Sequence, residues 1–172
     1  MYTRLKGIYP KDMGYRSIDI FGYTTQGIPG IEIIGMGTFG KQVKEKFIYI
    51  SKVSRLEIPF RRYVLCIEAS EKILTNDEKK WLELPLLILF LSLSNQIPIK
   101  KLEDCFCSGI ISATGIIKPL KIKNSSLLQI VNTCPHLKLI GDSGIELPSE
   151  MNLLPLQQIL GEISSLNISK GA

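Results

Sequence analysis

The sequence predicts an α+β fold: a mixed sheet with helices packed on it. Two observations carry that expectation. Strand-like runs crowd the early part of the chain while helical periodicity dominates later, and the regular strand–helix alternation of a doubly wound sheet is missing. A length of 172 residues, 45% hydrophobic and 22% charged, suits a single core.

Taken in order, residues 3–8 and 16–23 read as strands. In the second, Ser17, Asp19 and Gly22 interleave with Ile18, Ile20, Phe21 and Tyr23, the mark of a half-exposed strand. Residues 31–34 form a short third strand, and 41–52 a helix with Val43, Phe47 and Ile50 on one face. The block 63–67 is apolar throughout and is expected at the sheet centre. A helix should run from Asp77 or Trp81 to about Leu93. Its apolar stretch 82–93, broken by Glu83 and Pro85, falls short of the ~20 residues of a membrane span and reads as a buried core helix. Strands are expected at 105–111 and 137–140, and helices at 125–133 and 154–166, with Pro155 tolerated in a first turn. The polar segment 167–172 should fray, leaving 1–166 as the domain.

A net charge of +5 and a pI near 9.0 are compatible with an acidic partner such as nucleic acid, although a modest lysine excess is usually a solvated surface. The chain does not open on a basic segment followed by an apolar one and a cleavage site, so a cytoplasmic location away from membranes is expected. Cys66, Cys105, Cys107 and Cys134 form no C-x-x-C pair, and His136 is the one histidine. Zinc is therefore not expected, and the thiols read as buried and reduced.

The tract Gly35-Met36-Gly37-Thr38-Phe39-Gly40-Lys41-Gln42 satisfies G-x-G-x-x-G through Gly35, Gly37 and Gly40. It fails the phosphate-loop pattern at Gln42, where a magnesium-binding hydroxyl should stand. Dinucleotide binding would further need an acidic residue after the next strand. Glu68 is the candidate, but it lies farther beyond Gly40 than the ~20 residues expected. Without nucleotide the tract is a strand-to-helix turn rich in glycine. The carboxylate pairs Glu68 and Glu71, Asp77 and Glu78, and Glu103 and Asp104 read as solvated surface, and no Ser-His-Asp set is available around His136.

Several ordered segments resemble one family. These are residues 26–35, Val43-Lys44-Glu45, residues 58–65, Leu82-Glu83-Leu84-Pro85-Leu86, residues 94–97 and residues 108–112 with Gly115 and Lys118-Pro119-Leu120. Together they are similar to the amino-terminal domain of magnesium-chelatase-like competence proteins of the ComM type, itself similar to the proteolytic domain of Lon. Two departures stand out: Met36 to Gly40 replace a leucine-proline-acidic turn, and Lys79-Lys80-Trp81 replace a glycine and small residues.

The resemblance implies a Lon-protease-like mixed sheet, also like the second domain of a ribosomal protein. It implies a non-catalytic accessory or interaction domain, without the AAA+ module into which the relatives continue, and with no cofactor or metal. An AAA+ ATPase, DNA or further copies of the chain are the partners it implies. For a serine–lysine peptidase the resemblance would place the serine near residues 80–82, where none stands, so that Lys121 or Lys123 would have no serine to activate. Arg61, Arg62, Lys118, Lys121 and Lys123 are the candidate DNA contacts, able to meet phosphates without reading sequence.

Overall fold

Strands β1 (Tyr2–Lys11) and β2 (Gly14–Thr25) form an antiparallel hairpin. Asp12 and Met13 close it in the left-handed region, the backbone that a two-residue turn between twisted strands requires. The computed structural model describes all residues except 69–73, 123–128, 131, 133–135, 150 and 170–172. After the hairpin come β3 (Gly30–Ile34), α1 (Phe39–Val53) and β4 (Arg62–Ile67). A short α2 (Asn76–Lys79) and one 3-10 turn (Lys80–Leu82) lead into α3 (Glu83–Leu93). Then follow β5 (Cys105–Cys107), β6 (Gly109–Ile111), β7 (Ile116–Pro119), β8 (Lys138–Gly141), β9 (Asn152–Pro155), α4 (Leu156–Leu160) and β10 (Asn167–Ile168).

The fold is α+β with a mixed sheet, as the sequence predicts. Seven strands lie in the order β3-β4-β2-β1-β5-β8-β9, and β2 alone runs against the rest. A second sheet has the order β10-β7-β6. Helix α3 packs on β1, β2 and β4 and also on β6, so it lies between the two sheets with every residue buried. That position explains a helix apolar on all sides. Within the core Phe90 stacks on Phe47 at 5.9 Å between ring centroids and meets Tyr63 edge-on at 5.2 Å. Period-two alternation divides the sheet's two faces: Cys105 and Cys107 join this core, while Phe106 joins a second cluster with Ile8 and Leu139.

Four expectations need correction. The run 105–111 is two strands, because the chain changes sheets at Ser108. The apolar block 63–67 is β4, second from the edge; β1 holds the centre, and β4 is buried because β2 and β3 flank it and α3 covers it. Residues 154–166 are not one helix. Parallel pairing with β8 holds Asn152–Pro155 as a strand, and only Leu156–Leu160 are helical. Asn167 and Ile168, expected in a frayed tail, pair in parallel with Ile116 and Ile117. The helix expected over 125–133 falls mainly outside the described residues, and β7, β9 and β10 were not anticipated as strands. Among the described residues no helix is long and apolar enough to cross a membrane.

Phe90 joins α1, β4 and α3 through its two ring contacts. Phe90→Ala is expected to lower unfolding stability by about 3–5 kcal/mol, read from urea titration of the intact chain.

Candidate functional site

Helix α3 begins on a carboxylate that solvent scarcely reaches: the Glu83 side chain is 1% exposed. Its partner comes from α1, whose buried stripe Gly40, Val43, Phe47 and Ile50 faces the core. Lys46 lies beside that stripe, 20% exposed, and its Nζ donates to Glu83 Oε2 at 2.9 Å and Oε1 at 3.1 Å. The same ammonium donates to the Ile111 carbonyl at 2.7 Å, while the Ile111 N–H donates to Glu83 Oε2 at 3.1 Å. Four polar groups from α1, α3 and β6 thus close on one another. Burial, the largest influence, lifts the Glu83 pKa above its ordinary 4.5, against the opposing pull of the Lys46 hydrogen bond and charge and of the Ile111 N–H. Position at a helix N-terminus adds a favourable field for the anion.

Neighbouring contacts fix the same corner. Ser108 Oγ donates to the Trp81 carbonyl at 3.3 Å. A Cβ on Gly109 would stand 2.8 Å from Leu84 Cδ2 and 3.1 Å from the Lys118 carbonyl, so β6 approaches α3 this closely only as glycine. Nothing in the carboxylate pairs examined in the sequence pointed here. Glu83 could have been found as the one acid inside the apolar run 82–93, since a buried charge requires a partner.

At the N-terminal end of α1 lies the glycine tract. The context required for a dinucleotide fingerprint holds in topology, because β3 and β4 are adjacent and parallel with α1 between them. Gly35, at φ +95°, is needed for close approach, since a Cβ would come 2.7 Å from the Ile67 carbonyl oxygen. Gly37 has φ +59°, and Gly40 is buried inside the first turn of α1. Met36 between them is fully buried, and Lys79 Nζ donates to its carbonyl at 3.3 Å. Two N–H groups that a phosphate would use are already bonded: Gly40 to the Gly37 carbonyl at 3.2 Å and Lys41 to that of Thr38 at 3.3 Å. Glu68 is exposed just beyond β4, and its N–H donates to the Asp19 carbonyl at 2.9 Å.

The structure separates the basic residues. Arg61 and Arg62 are exposed at the head of β4, where Arg62 pairs with Glu32 of β3 and stands opposite Thr25 of β2. Lys118 is exposed on β7, and Lys121, also exposed, accepts the Tyr15 hydroxyl on its carbonyl at 3.1 Å. Tyr15 and Thr25 mark the two ends of β2, roughly 30 Å apart at ~3.3 Å per residue. The two groups therefore do not form one patch; Lys123 lies outside the described residues.

Near residues 80–82, where the resemblance would put a nucleophile, stand Lys80, Trp81 and Leu82, with the Lys80 ammonium 5.9 Å from the indole centroid. Thr75 caps α2, its hydroxyl accepting the Glu78 N–H at 3.2 Å. Cys66, Cys105 and Cys107 are buried free thiols; burial pushes Cys105 up to about 11 and Cys107 well above the ordinary thiol value. Cys134 is outside the described residues, and among those described no three metal-ligating side chains converge. No family model matches the chain, and neither does any curated protein.

Glu83→Ala would leave the Ile111 N–H without its acceptor and the Lys46 ammonium with the Ile111 carbonyl alone, and is expected to cost about 3–5 kcal/mol in urea unfolding at neutral pH. Because folding favours the protonated carboxyl, the contribution of Glu83 is complete below pH 4.5 and is given up as pH rises through the raised value. Glu83→Gln should therefore flatten the stability profile above pH 4.5, measured by urea midpoints at a series of pH values on both sides of it.

Proposed function

We propose that this chain is a non-catalytic accessory domain with a Lon-protease-like fold, akin to the amino-terminal domain of ComM-type competence proteins. It acts by contact with an AAA+ ATPase, DNA or copies of itself. The observation that carries this reading is where the resembling segments lie. Val43-Lys44-Glu45 leads directly into Lys46, and Leu82 to Leu86 and residues 108–112 supply the other partners of the Lys46–Glu83–Ile111 knot. Residues 26–35 contain β3, and residues 58–65 reach into the first four residues of its partner β4. The shared residues are thus spent on holding helices to strands, and the position that would bear a nucleophile carries Lys80 and Trp81 instead.

A second reading, a nucleotide-binding regulatory domain using Gly35, Gly37, Gly40 and Glu68, draws support from the parallel β3-α1-β4 unit. Buried Met36 and the spent N–H groups of Gly40 and Lys41 weigh against it.

Titrating NAD, ATP and ADP while following Trp81 fluorescence and thermal stability should give no saturable response. Micromolar binding abolished by Gly37→Val would replace the first reading with the second. Binding of a single-stranded oligonucleotide should be measurable at low salt and fall by about tenfold or more at moderate salt. No binding at low salt would strike DNA from the partners and leave the protein–protein contacts.

A further inference from the structure

At the end of the sheet away from the glycine tract, the heads of β3 and β4 and the last turns of α1 enclose a cleft of about 690 Å³. Its walls are Ile31, Ile48, Leu56, Ile58, Pro59 and Phe60, and its rim carries Lys52, Arg55 and Arg61. A second depression of about 600 Å³, lined by polar residues 24–27, adjoins it across a shared wall of Phe60 and Arg61. Phe60 stands 93% exposed on that wall, and Ile28 nearby is 88% exposed.

The cleft is preformed. Arg55, at φ +54°, reverses the chain after α1, and its N–H bonds the Lys52 carbonyl at 3.1 Å while Leu56 bonds that of Ser51 at 2.9 Å. Tyr63 donates its hydroxyl to the Pro59 carbonyl at 2.9 Å, and Gln96 Nε2 donates to that of Glu57 at 3.0 Å. A backbone tied at four points loses little freedom when something binds.

We propose that this pair of depressions is the docking site for an extended acidic peptide segment of a partner protein, anchored by one bulky apolar side chain. Charge complementarity selects the acidic class. Three cations ring the cleft, no carboxylate lines either depression, and none of the three cations holds a salt bridge among the described residues. The lining selects peptide over nucleic acid: the walls are aliphatic, and the floor rings Tyr63 and Phe90 are 2% and 1% exposed, so Phe60 alone offers a stacking face. Two adjoining depressions, each the size of a small-molecule pocket, suit a segment of several residues lying across Phe60. The inference rests on the cleft, so failure of oligonucleotide binding in the assay above would leave it standing.

The test uses the intact chain and a fluorescein-labelled pentapeptide, one phenylalanine between two pairs of glutamates, followed by anisotropy. Saturable binding is expected in the range of about 1–100 µM, weakened by added salt. Phe60→Ala should weaken it at least about fivefold and Arg61→Glu about tenfold, with circular dichroism and melting temperature unchanged because both side chains are exposed. A peptide with alanine in place of phenylalanine should not bind. No saturation up to about 1 mM, or binding indifferent to both substitutions, overturns the proposal. So does a twelve-residue oligothymidylate that binds more tightly than the peptide and needs Phe60, or self-association abolished by Phe60→Ala, which would make the occupant a nucleic acid or a second copy.

Discussion

An eleven-residue helix without a polar face exists in water only if every side of it is covered. Helix α3 sets that condition for the whole chain. One sheet can cover only one side, and so the run after α3 changes sheets at Ser108, sending β6 back over the helix while β5 extends the larger sheet. The close approach that Gly109 allows, and the pairing of β10 with β7 at the far edge of the small sheet, follow from the same need to enclose α3.

Enclosure creates an electrostatic difficulty at the point where α3 starts. Glu83 opens the helix, where a partial positive charge favours an anion, but it does so as a buried carboxylate. Lys46 supplies the counter-charge from α1, and Ile111 supplies an N–H and a carbonyl from β6. One ion pair therefore ties two helices to the second sheet, and its geometry leaves the ammonium with three acceptors rather than a substrate. Replacing both partners of such a buried pair with well-packed apolar residues is often close to neutral, whereas removing one alone strands the charge of the other.

Much of the framework was legible in the sequence. The hairpin strands, β3, α1 and α3 follow from local periodicity, and their boundaries shift by only a few residues where pairing extends them. What was illegible depends on contacts made far along the chain. Residues 154 and 155 read as the start of a helix that carries Leu156, Ile159, Leu160 and Ile163 at helical spacing; a parallel neighbour, β8, holds them in a strand instead. Strands β7 and β10 are too short and too mixed to announce themselves. At the candidate sites, the glycine tract stands out by pattern yet is filled by its own Met36, whereas Glu83 and Phe60 lie in resembling segments that mark neither as a site, and Lys46 lies in none. Their significance arises from being brought together, and Phe60 reads as an ordinary apolar residue until it is seen standing in solvent.

The central place of β1 has a consequence for how the chain is made. Its neighbour β2 lies one tight turn away, and β4 and β3 can join that hairpin early, but the other side of β1 must wait for β5. During synthesis the middle of the future sheet is therefore a bare edge, presenting unpaired N–H and carbonyl groups for as long as it takes the ribosome to deliver Cys105 to Cys107 and the strands that stack beyond them. The strand at the centre of the finished sheet is thus an open edge in the nascent chain.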